Sequence, residues 1–231
     1  MKILKKIAGI VFIIAVPLFC LTASLSLEIG SPAFYRYSFQ KYTVKKTTGL
    51  SQSDLARIVH EFPGYFGSRF DYLQFIAVSN GTARSLFTET ELIHFKDVKG
   101  LIQLDRAVML ATLAYFLAYA GVLFYRLRDG SRWLALGEKM FTGGGVTIVL
   151  LILLVAGILT NFSGLFLFFH ELSLSNPFWS SSGLMPRLFP EPFWYDMALF
   201  TILFSTVFAL CFGITGWVLV RTFRRGAVGA E

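Results

Sequence analysis

Four long apolar runs divide the chain, and polar segments separate them. The runs extend from Ile7 to Leu27, Arg106 to Tyr125, Phe141 to Phe169 and Asp196 to Val220. A helix needs roughly 20 residues to cross the hydrocarbon core of a bilayer, so each run predicts one membrane span. The third run is longer than one crossing requires, which predicts that its far end tilts or rises out of the hydrocarbon.

The segment between the first two spans has patterns typical of a small folded domain. Aromatic and polar residues alternate from Phe34 to Val44, which predicts a strand with one buried face. Ser51 is followed three residues later by Asp54, as in a capping box, and apolar residues then recur at helical spacing until Pro63 and Gly64. This predicted helix carries His60, for which a solvated or capping role is favoured.

A hairpin is predicted from Tyr72 to Phe87. Asn80-Gly81 is a favoured type I′ turn pair because both positions tolerate positive φ. Together these patterns predict an all-α transmembrane four-helix bundle with a small extracytoplasmic α+β cap.

Thr88 and Glu91 form a second capping-box pattern, which predicts a helix that continues into the second span, with a kink at Gly100. His94 lies within two turns of this helix start, where the helix dipole disfavours the imidazolium and keeps the ring neutral. A histidine that only caps an interfacial helix is the structural alternative.

His170 ends the third apolar run and precedes a loop rich in aromatic residues and proline. A histidine is costly in hydrocarbon but not at the lipid headgroup level, so this position suggests a site reached from the bilayer surface. Phe193, Trp194 and Trp179 lie in or beside the loop; they are interpreted either as lipid-binding residues of that site or as the interfacial aromatic belt.

Composition supports a membrane protein. Hydrophobic residues make up 55% of the 231 residues and charged residues only 15%, and the mean hydropathy is +0.63. Cys20 and Cys211 both fall inside predicted spans, where a disulfide is not indicated. The first span resembles a signal peptide in its basic start, but bulky Phe19 before Cys20 disfavours lipoprotein processing, so we interpret it as an uncleaved anchor.

The basic residues predict the orientation. The segments 1–6, 126–140 and 221–231 hold ten Lys or Arg against three Asp or Glu, which accounts for the whole net charge of +7. The positive-inside rule therefore places both termini and the loop 126–140 in the cytoplasm. The domain plan is a span over 1–27, a cap over 28–105, a span over 106–125, the cytoplasmic loop 126–140, a span over 141–169, an outward loop over 170–195, a span over 196–220 and a tail over 221–231.

Three motifs carry a resemblance to a known family. They are Lys41-Tyr-Thr-Val-Lys-Lys-Thr-Thr-Gly49, Phe87-Thr-Glu-Thr-Glu-Leu-Ile-His94 with Asp97-Val98, and Phe169-His170 followed by Ser175-Asn176, Trp179 and Phe189-Pro-Glu191. As a set, in this order along the spans, they resemble the bacterial Lit family of lipoprotein intramolecular transacylases. One segment departs from the family pattern. Where other members have a Leu-Asp-Pro turn and a further acidic residue after the tryptophan, this chain has Ser180 to Pro186.

The resemblance implies an enzyme of the bacterial plasma membrane. It would move the sn-2 acyl chain of a diacylglyceryl lipoprotein to the α-amino group of the lipidated cysteine, within membrane phospholipid, without a cofactor and without nucleic acid. The family's two functional histidines match His94 and His170. The supporting residues expected around them are Glu91, Asp97, Glu171, Asn176 and Glu191.

The residue chemistry fits such a transfer. The substrate amine itself attacks the ester, so the enzyme has only to move protons, hold the reacting groups and stabilise the oxyanion. As a hypothesis, His94 is the base and His170 the donor, although the roles can be exchanged. Glu91, Asp97 or Glu171 is expected to orient a ring through its other nitrogen.

Two other functions and a metal site are alternatives to this transfer. A Ser/His lipid hydrolase or acyltransferase would use Ser173, Ser175 or one of Ser180 to Ser182, but no G-x-S-x-G elbow occurs. A metal site is disfavoured because the Glu91-x-x-His94 spacing occurs once and no H-E-x-x-H motif exists. A non-enzymatic sensor or assembly protein remains the alternative from a different class.

Overall fold

The computed structural model describes residues 2–79, 82–127, 130–174, 178 and 183–228. Within these residues four helices are long and apolar enough to cross a membrane. They are α1 (Lys2–Ile29), α5 (Glu89–Arg126), α6 (Ser131–Ser173) and α8 (Glu191–Val228), with the shorter α2 (Pro32–Lys41), α3 (Val44–Thr48), α4 (Gln52–Tyr65) and α7 (Met185–Leu188) between them. The four predicted spans are confirmed, and the chain is an integral membrane protein of the all-α class.

The predicted strand over Phe34 to Val44 is wrong, because this segment forms α2. The Ser31 side chain accepts a hydrogen bond from the Phe34 backbone N–H, and Pro32 occupies the first turn, where its missing N–H costs nothing. Phe34, Tyr35 and Phe39 then share one buried face. Helical start signals thus outweigh the alternation of aromatic residues.

The α+β cap is not supported as predicted. The described residues contain only one pair of strands, β1 (Ile76–Ser79) and β2 (Thr82–Ser85), which are antiparallel with Ile76 opposite Ser85. Asn80 and Gly81, the predicted turn pair, lie outside the described residues. A lone hairpin is not a sheet layer, so the segment between α1 and α5 is mainly helical.

The span helices extend beyond the predicted bounds. Helix α5 is continuous from Glu89 through Gly100, without the predicted kink. Helix α6 begins at Ser131, inside the segment predicted as a cytoplasmic loop, and is interrupted at Asn161, which has non-helical φ and ψ. The Asn161 side chain accepts a hydrogen bond from the Gly164 N–H at 2.9 Å, as an N-cap does. A second helical segment therefore begins here, and it carries His170.

The chain forms two compact units. The first, which we call the span unit, comprises Met1–Leu25, Arg106–Gly157 and Phe200–Glu231; the second, the histidine unit, comprises Ser26–Asp105 and Ile158–Leu199. In the span unit, Phe12, Val16 and Phe116 form the centre of an aromatic and aliphatic core. Gly144 packs directly against the backbone of Ala209, where a larger residue would not fit. Cys20 and Cys211 are free thiols.

Aromatic rings dominate the core of the histidine unit. Phe62 of α4 stacks on Phe189 at 5.0 Å between ring centroids and meets Phe95 of α5 edge-on at 5.4 Å. Tyr35 of α2 stacks on Phe193 of α8 at 6.2 Å. These contacts join α2, α4, α5 and the start of α8, so that the residue next to His94 is fixed in a packed core.

Candidate active site

The helix that carries His94 starts with the predicted capping box. The Glu91 N–H donates to the Thr88 hydroxyl at 3.3 Å, and the Thr88 N–H donates to the Glu91 carboxylate at 2.9 Å. Each side chain thereby satisfies a backbone donor that the helix leaves free. His94 lies one turn after Glu91, and its position is set by this start.

His94 is buried, with 5% of its surface exposed. Its Nδ1 has no hydrogen-bond partner among the described residues. A buried polar nitrogen without a partner is unfavourable, and a catalytic role is one of the reasons for which native proteins keep such a group. The described contacts therefore leave room for a ligand atom at Nδ1 of His94.

His170 is also buried, with 8% of its surface exposed. Its Nδ1 lies 2.7 Å from the Phe166 carbonyl oxygen, one turn earlier on α6. Because a carbonyl can only accept, Nδ1 carries the proton of the neutral ring, and the lone pair is on Nε2. The Phe166 ring, 4.2 Å from the imidazole centroid, packs against the same side chain.

The two imidazoles lie together. Their centroids are 6.3 Å apart and their planes differ by 15°. This separation exceeds the reach of a direct hydrogen bond between ring nitrogens, yet both rings are close enough to contact one small reacting group. The fold thus joins residues that are 76 positions apart in the sequence, and both belong to the histidine unit.

Glu91 does not orient either ring through a hydrogen bond that the structure shows. Its side chain is fully buried, and its Oε1 accepts a 2.6 Å hydrogen bond from the Met185 N–H, while Oε2 accepts from Thr88. The carboxylate therefore connects the start of α5 to the first residue of α7. Its contacts indicate a positioning residue for this part of the histidine unit.

The other predicted supporting residues have different surroundings. Asp97 is half-buried one turn beyond His94, and Glu171 is exposed beside His170. Glu191 is exposed and accepts a hydrogen bond from the Ser163 hydroxyl, which connects the start of α8 to the second segment of α6. Asn176 and Trp179 lie outside the described residues.

The two predicted lipid-binding aromatics differ in exposure. Phe193 is only 1% exposed and belongs to the aromatic core, so its described contacts are structural. Trp194 is half-buried, its indole N–H donates to the Phe189 carbonyl at 3.2 Å, and its ring lies 6.1 Å from Phe166. Trp194 is thus connected to His170 through Phe166.

Sequence reasoning missed an ion pair near the start of α8. The Lys41 ammonium donates to both carboxylate oxygens of Asp196 at 2.9 and 2.7 Å, and the Tyr42 hydroxyl donates to the same carboxylate at 2.7 Å. The hydrogen bond to Asp196 raises the pKa of Lys41 above its ordinary value, and burial followed by the nearby Asp196 raises the pKa of Tyr42. Asp196 itself is 7% exposed.

No group of three His, Cys, Asp or Glu side chains is arranged to hold a metal ion within the described part of the chain. Among the residues that the structure describes, the polar groups around this site include the two imidazoles, the Glu91 carboxylate and, one turn beyond His94, Asp97. The imidazoles can accept and donate a proton, and the Glu91 carboxylate holds the backbone at the start of the His94 helix.

Comparisons with known proteins agree with this fold. The structure of the membrane integral lipoprotein intramolecular transacylase Lit from Bacillus cereus aligns with a TM-score of 0.80 and 18% identity, covering 97% of this chain and 100% of that chain. A histidine-to-alanine variant of that protein aligns with a TM-score of 0.76 and 18% identity, covering 97% of each chain. At this identity the likeness concerns the fold alone.

The sequence comparisons identify the family. An "Uncharacterized protein" of Aquifex aeolicus (strain VF5) is 29% identical over 145 residues, which are 61% of this chain and 60% of that relative's length. The model of one family, "Lipoprotein intramolecular transacylase Lit", matches residues 10–194, which is most of the chain. The chain therefore belongs to the lipoprotein intramolecular transacylase Lit family.

Proposed function

We propose that this protein transfers an acyl chain within one lipoprotein molecule, from the sn-2 glycerol oxygen to the α-amino group of the lipidated cysteine. Family membership supplies the substrate class. The observation that carries the chemistry is the pair of buried, nearly parallel imidazoles with centroids 6.3 Å apart. Two such rings supply the one proton acceptor and one proton donor that this transfer requires.

The reaction balances without an enzyme nucleophile. The neutral amine attacks the ester carbonyl, a carbon–nitrogen bond forms, and the amine proton passes to a base. The tetrahedral oxyanion then collapses, the bond to the glycerol oxygen breaks, and that oxygen takes up a proton. The products are an amide and a free hydroxyl, and holding amine and ester in one molecule supplies much of the rate.

The hydrogen bonds favour His170 as the base. The lone pair of its Nε2 can accept the amine proton, and the Phe166 carbonyl stabilises the resulting imidazolium through Nδ1–H. His94 is then the donor to the oxyanion or the leaving oxygen. These roles are the reverse of the sequence-based hypothesis.

Histidine variants test the proposal. Each variant is expressed in a bacterial host that makes only diacylated lipoproteins, and mass spectrometry measures N-acylated product. We expect His94→Ala and His170→Ala each to lower the rate by about 10²–10⁴-fold. Leu172→Ala is the matched control, because Leu172 lies on the same helix turn as His170 but is 74% exposed. Product at the wild-type rate from either histidine variant would refute the proposal.

Glutamine variants separate the two roles. A glutamine amide can donate a hydrogen bond but cannot accept a proton as a base. His94→Gln should therefore retain more activity than His94→Ala, whereas His170→Gln should be as inactive as His170→Ala. The opposite order would assign the base to His94. Labelling by a serine-directed fluorophosphonate with loss of activity would favour the Ser/His hydrolase instead.

We also propose that the histidine unit faces outward. The basic segments 1–6, 126–140 and 221–231 hold the entire charge surplus, and they flank the opposite ends of the spans from both histidines. Single cysteines in a Cys20→Ser, Cys211→Ser background test this orientation in intact cells. A membrane-impermeant maleimide should label Arg69→Cys and leave Lys139→Cys unlabelled; the reverse pattern would overturn the proposal.

A further inference from the structure

A separate groove of about 810 Å³ lies on the histidine unit among α2, α3 and α4. Its volume is within the range of pockets that bind small molecules, roughly 300–1,000 Å³. The residues that define its chemistry are Arg36, Phe39, Lys45, Lys46, Leu55 and Val59. None of them takes part in the histidine site described above.

The rim of the groove is cationic. Arg36 of α2 and the neighbouring Lys45 and Lys46 of α3 are exposed side chains, and none of the twelve residues that line the groove is acidic. An arginine beside two lysines is a favourable set of donors for a phosphodiester, because the guanidinium binds two oxygens and the ammonium groups add charge.

The floor of the groove is apolar. Phe39, Leu55 and Val59 are each 6% exposed, so they offer a packed hydrocarbon surface beneath the cationic rim. A free inorganic anion would gain nothing from this floor. An amphiphile with a charged head and an apolar stem would contact both parts.

The groove begins close to the end of α1. Pro32 lines it and follows the end of the first membrane helix, Ile29, by only three residues. Three residues of chain extend at most about 11 Å. The groove therefore begins within about 11 Å of the end of a helix that is long and apolar enough to cross a membrane.

Thr43, between α2 and α3, also lines the groove and has a left-handed backbone with φ of 49°. A β-branched residue rarely adopts this conformation, and such residues are concentrated at binding sites. This turn places α3, with both lysines, directly after α2 at the rim.

We propose that this groove binds an anionic phospholipid, with its phosphodiester held by Arg36, Lys45 and Lys46 and its glycerol and upper acyl chain on Phe39, Leu55 and Val59. Anionic lipid is attracted to basic clusters at the membrane surface, and the apolar floor adds contacts that a soluble anion lacks. The proposal does not depend on the transacylase reaction, because the groove and the imidazoles are separate sites.

The test uses the full chain in nanodiscs of phosphatidylcholine that contain a small fraction of photoactivatable phosphatidylglycerol. After irradiation, mass spectrometry maps the labelled peptides. We expect the photoactivated lipid to label residues 32–60. The triple variant Arg36→Gln, Lys45→Gln, Lys46→Gln should lower the labelling of these residues at least about tenfold. Lys46→Gln alone should lower it by a smaller factor.

The matched control removes three exposed cations elsewhere, in the variant with Lys5→Gln, Lys6→Gln and Arg221→Gln. It has the same net charge as the triple groove variant and should keep the label in residues 32–60. Equal labelling by photoactivatable phosphatidylcholine, or label unchanged in the groove variant, would overturn the proposal. Displacement by a soluble acidic peptide but not by excess phosphatidylglycerol would also overturn it and indicate a peptide site.

Discussion

The backbone N–H of Met185 donates a 2.6 Å hydrogen bond to the carboxylate of Glu91, a residue 94 positions earlier in the chain. The same carboxylate closes the capping box that starts the His94 helix. One buried side chain thus connects the helix that carries one imidazole to the segment that follows the other. Three hydrogen bonds satisfy its charge, which makes burial of the carboxylate tolerable.

Glu91→Ala should therefore lower both stability and activity. The variant loses the capping box and leaves the Met185 N–H without its acceptor, which together cost about 2–4 kcal/mol. Glu91→Gln should have a smaller effect, because an amide oxygen still accepts from Met185. Thermal unfolding in detergent and product formation in the lipoprotein assay are the measurements. Equal stability of all three proteins would contradict the positioning role of Glu91.

Gly183 gives an independent test of the same contact. A Cβ at this position would overlap the Glu91 carboxylate, which is buried and held by its hydrogen bonds. Gly183→Ala should displace Glu91 and reproduce the loss seen in Glu91→Ala. Gly100→Ala is the control, because a Cβ there meets nothing within 4 Å and alanine favours the helix by about 0.5–1 kcal/mol. We expect the two substitutions to change the unfolding temperature in opposite directions.

The elements that were predicted correctly are those that depend on residues close together in the chain. The apolar runs predicted four spans, and Thr88 with Glu91 predicted the start of the His94 helix, because hydropathy and capping depend on residues close in sequence. The strand predicted from Phe34 failed because Phe34, Tyr35 and Phe39 also fit a helical face, and Ser31-Pro32 decides between the two patterns.

Long-range contacts escaped prediction for a different reason. Lys41 and Asp196 are 155 residues apart, and no local pattern connects them. Both histidines were found from their positions at span ends, but their separation of 6.3 Å depends on packing of the whole unit. Phe193 was expected at a lipid surface and is a core residue, since an aromatic near a span end suits either place.

The ion pair between Lys41 and Asp196 should stabilise the contact between α2 and α8. Lys41→Met leaves the buried Asp196 carboxylate with the Tyr42 hydroxyl alone, so it should lower the unfolding temperature more than Asp196→Asn does. The double variant Lys41→Met, Asp196→Asn should lose less stability than the sum of the losses in the two single variants, because the second substitution removes the charge that the first leaves unpaired. Additive losses in this cycle would show that the two groups do not interact.

The contribution of the Lys41–Asp196 ion pair to stability depends on pH. The folded-state pKa of Lys41 is raised, so its contribution to stability is fully present below the unfolded-state pKa and is lost as the pH rises through the folded-state value. Wild-type protein should keep this contribution at neutral pH and lose it only under strongly alkaline conditions. Unfolding curves of wild type and Lys41→Met should therefore differ at pH 7, and the difference should begin to shrink only above the ordinary lysine pKa of about 10.4.

Asn161 determines where the helical segment that carries His170 begins. Its side chain accepts the Gly164 N–H, and its own backbone leaves the helical conformation. Asn161→Ala removes this cap, at a cost of about 0.5–2 kcal/mol, and favours a helix that continues through the break. A continuous helix would turn His170, nine residues later, away from its present direction, so product formation should fall by more than stability alone explains. Asn161→Asp keeps the acceptor and should retain activity. Measuring lipoprotein N-acylation and thermal unfolding for both variants separates the effects, and a fully active Asn161→Ala protein would show that the break does not position the imidazole.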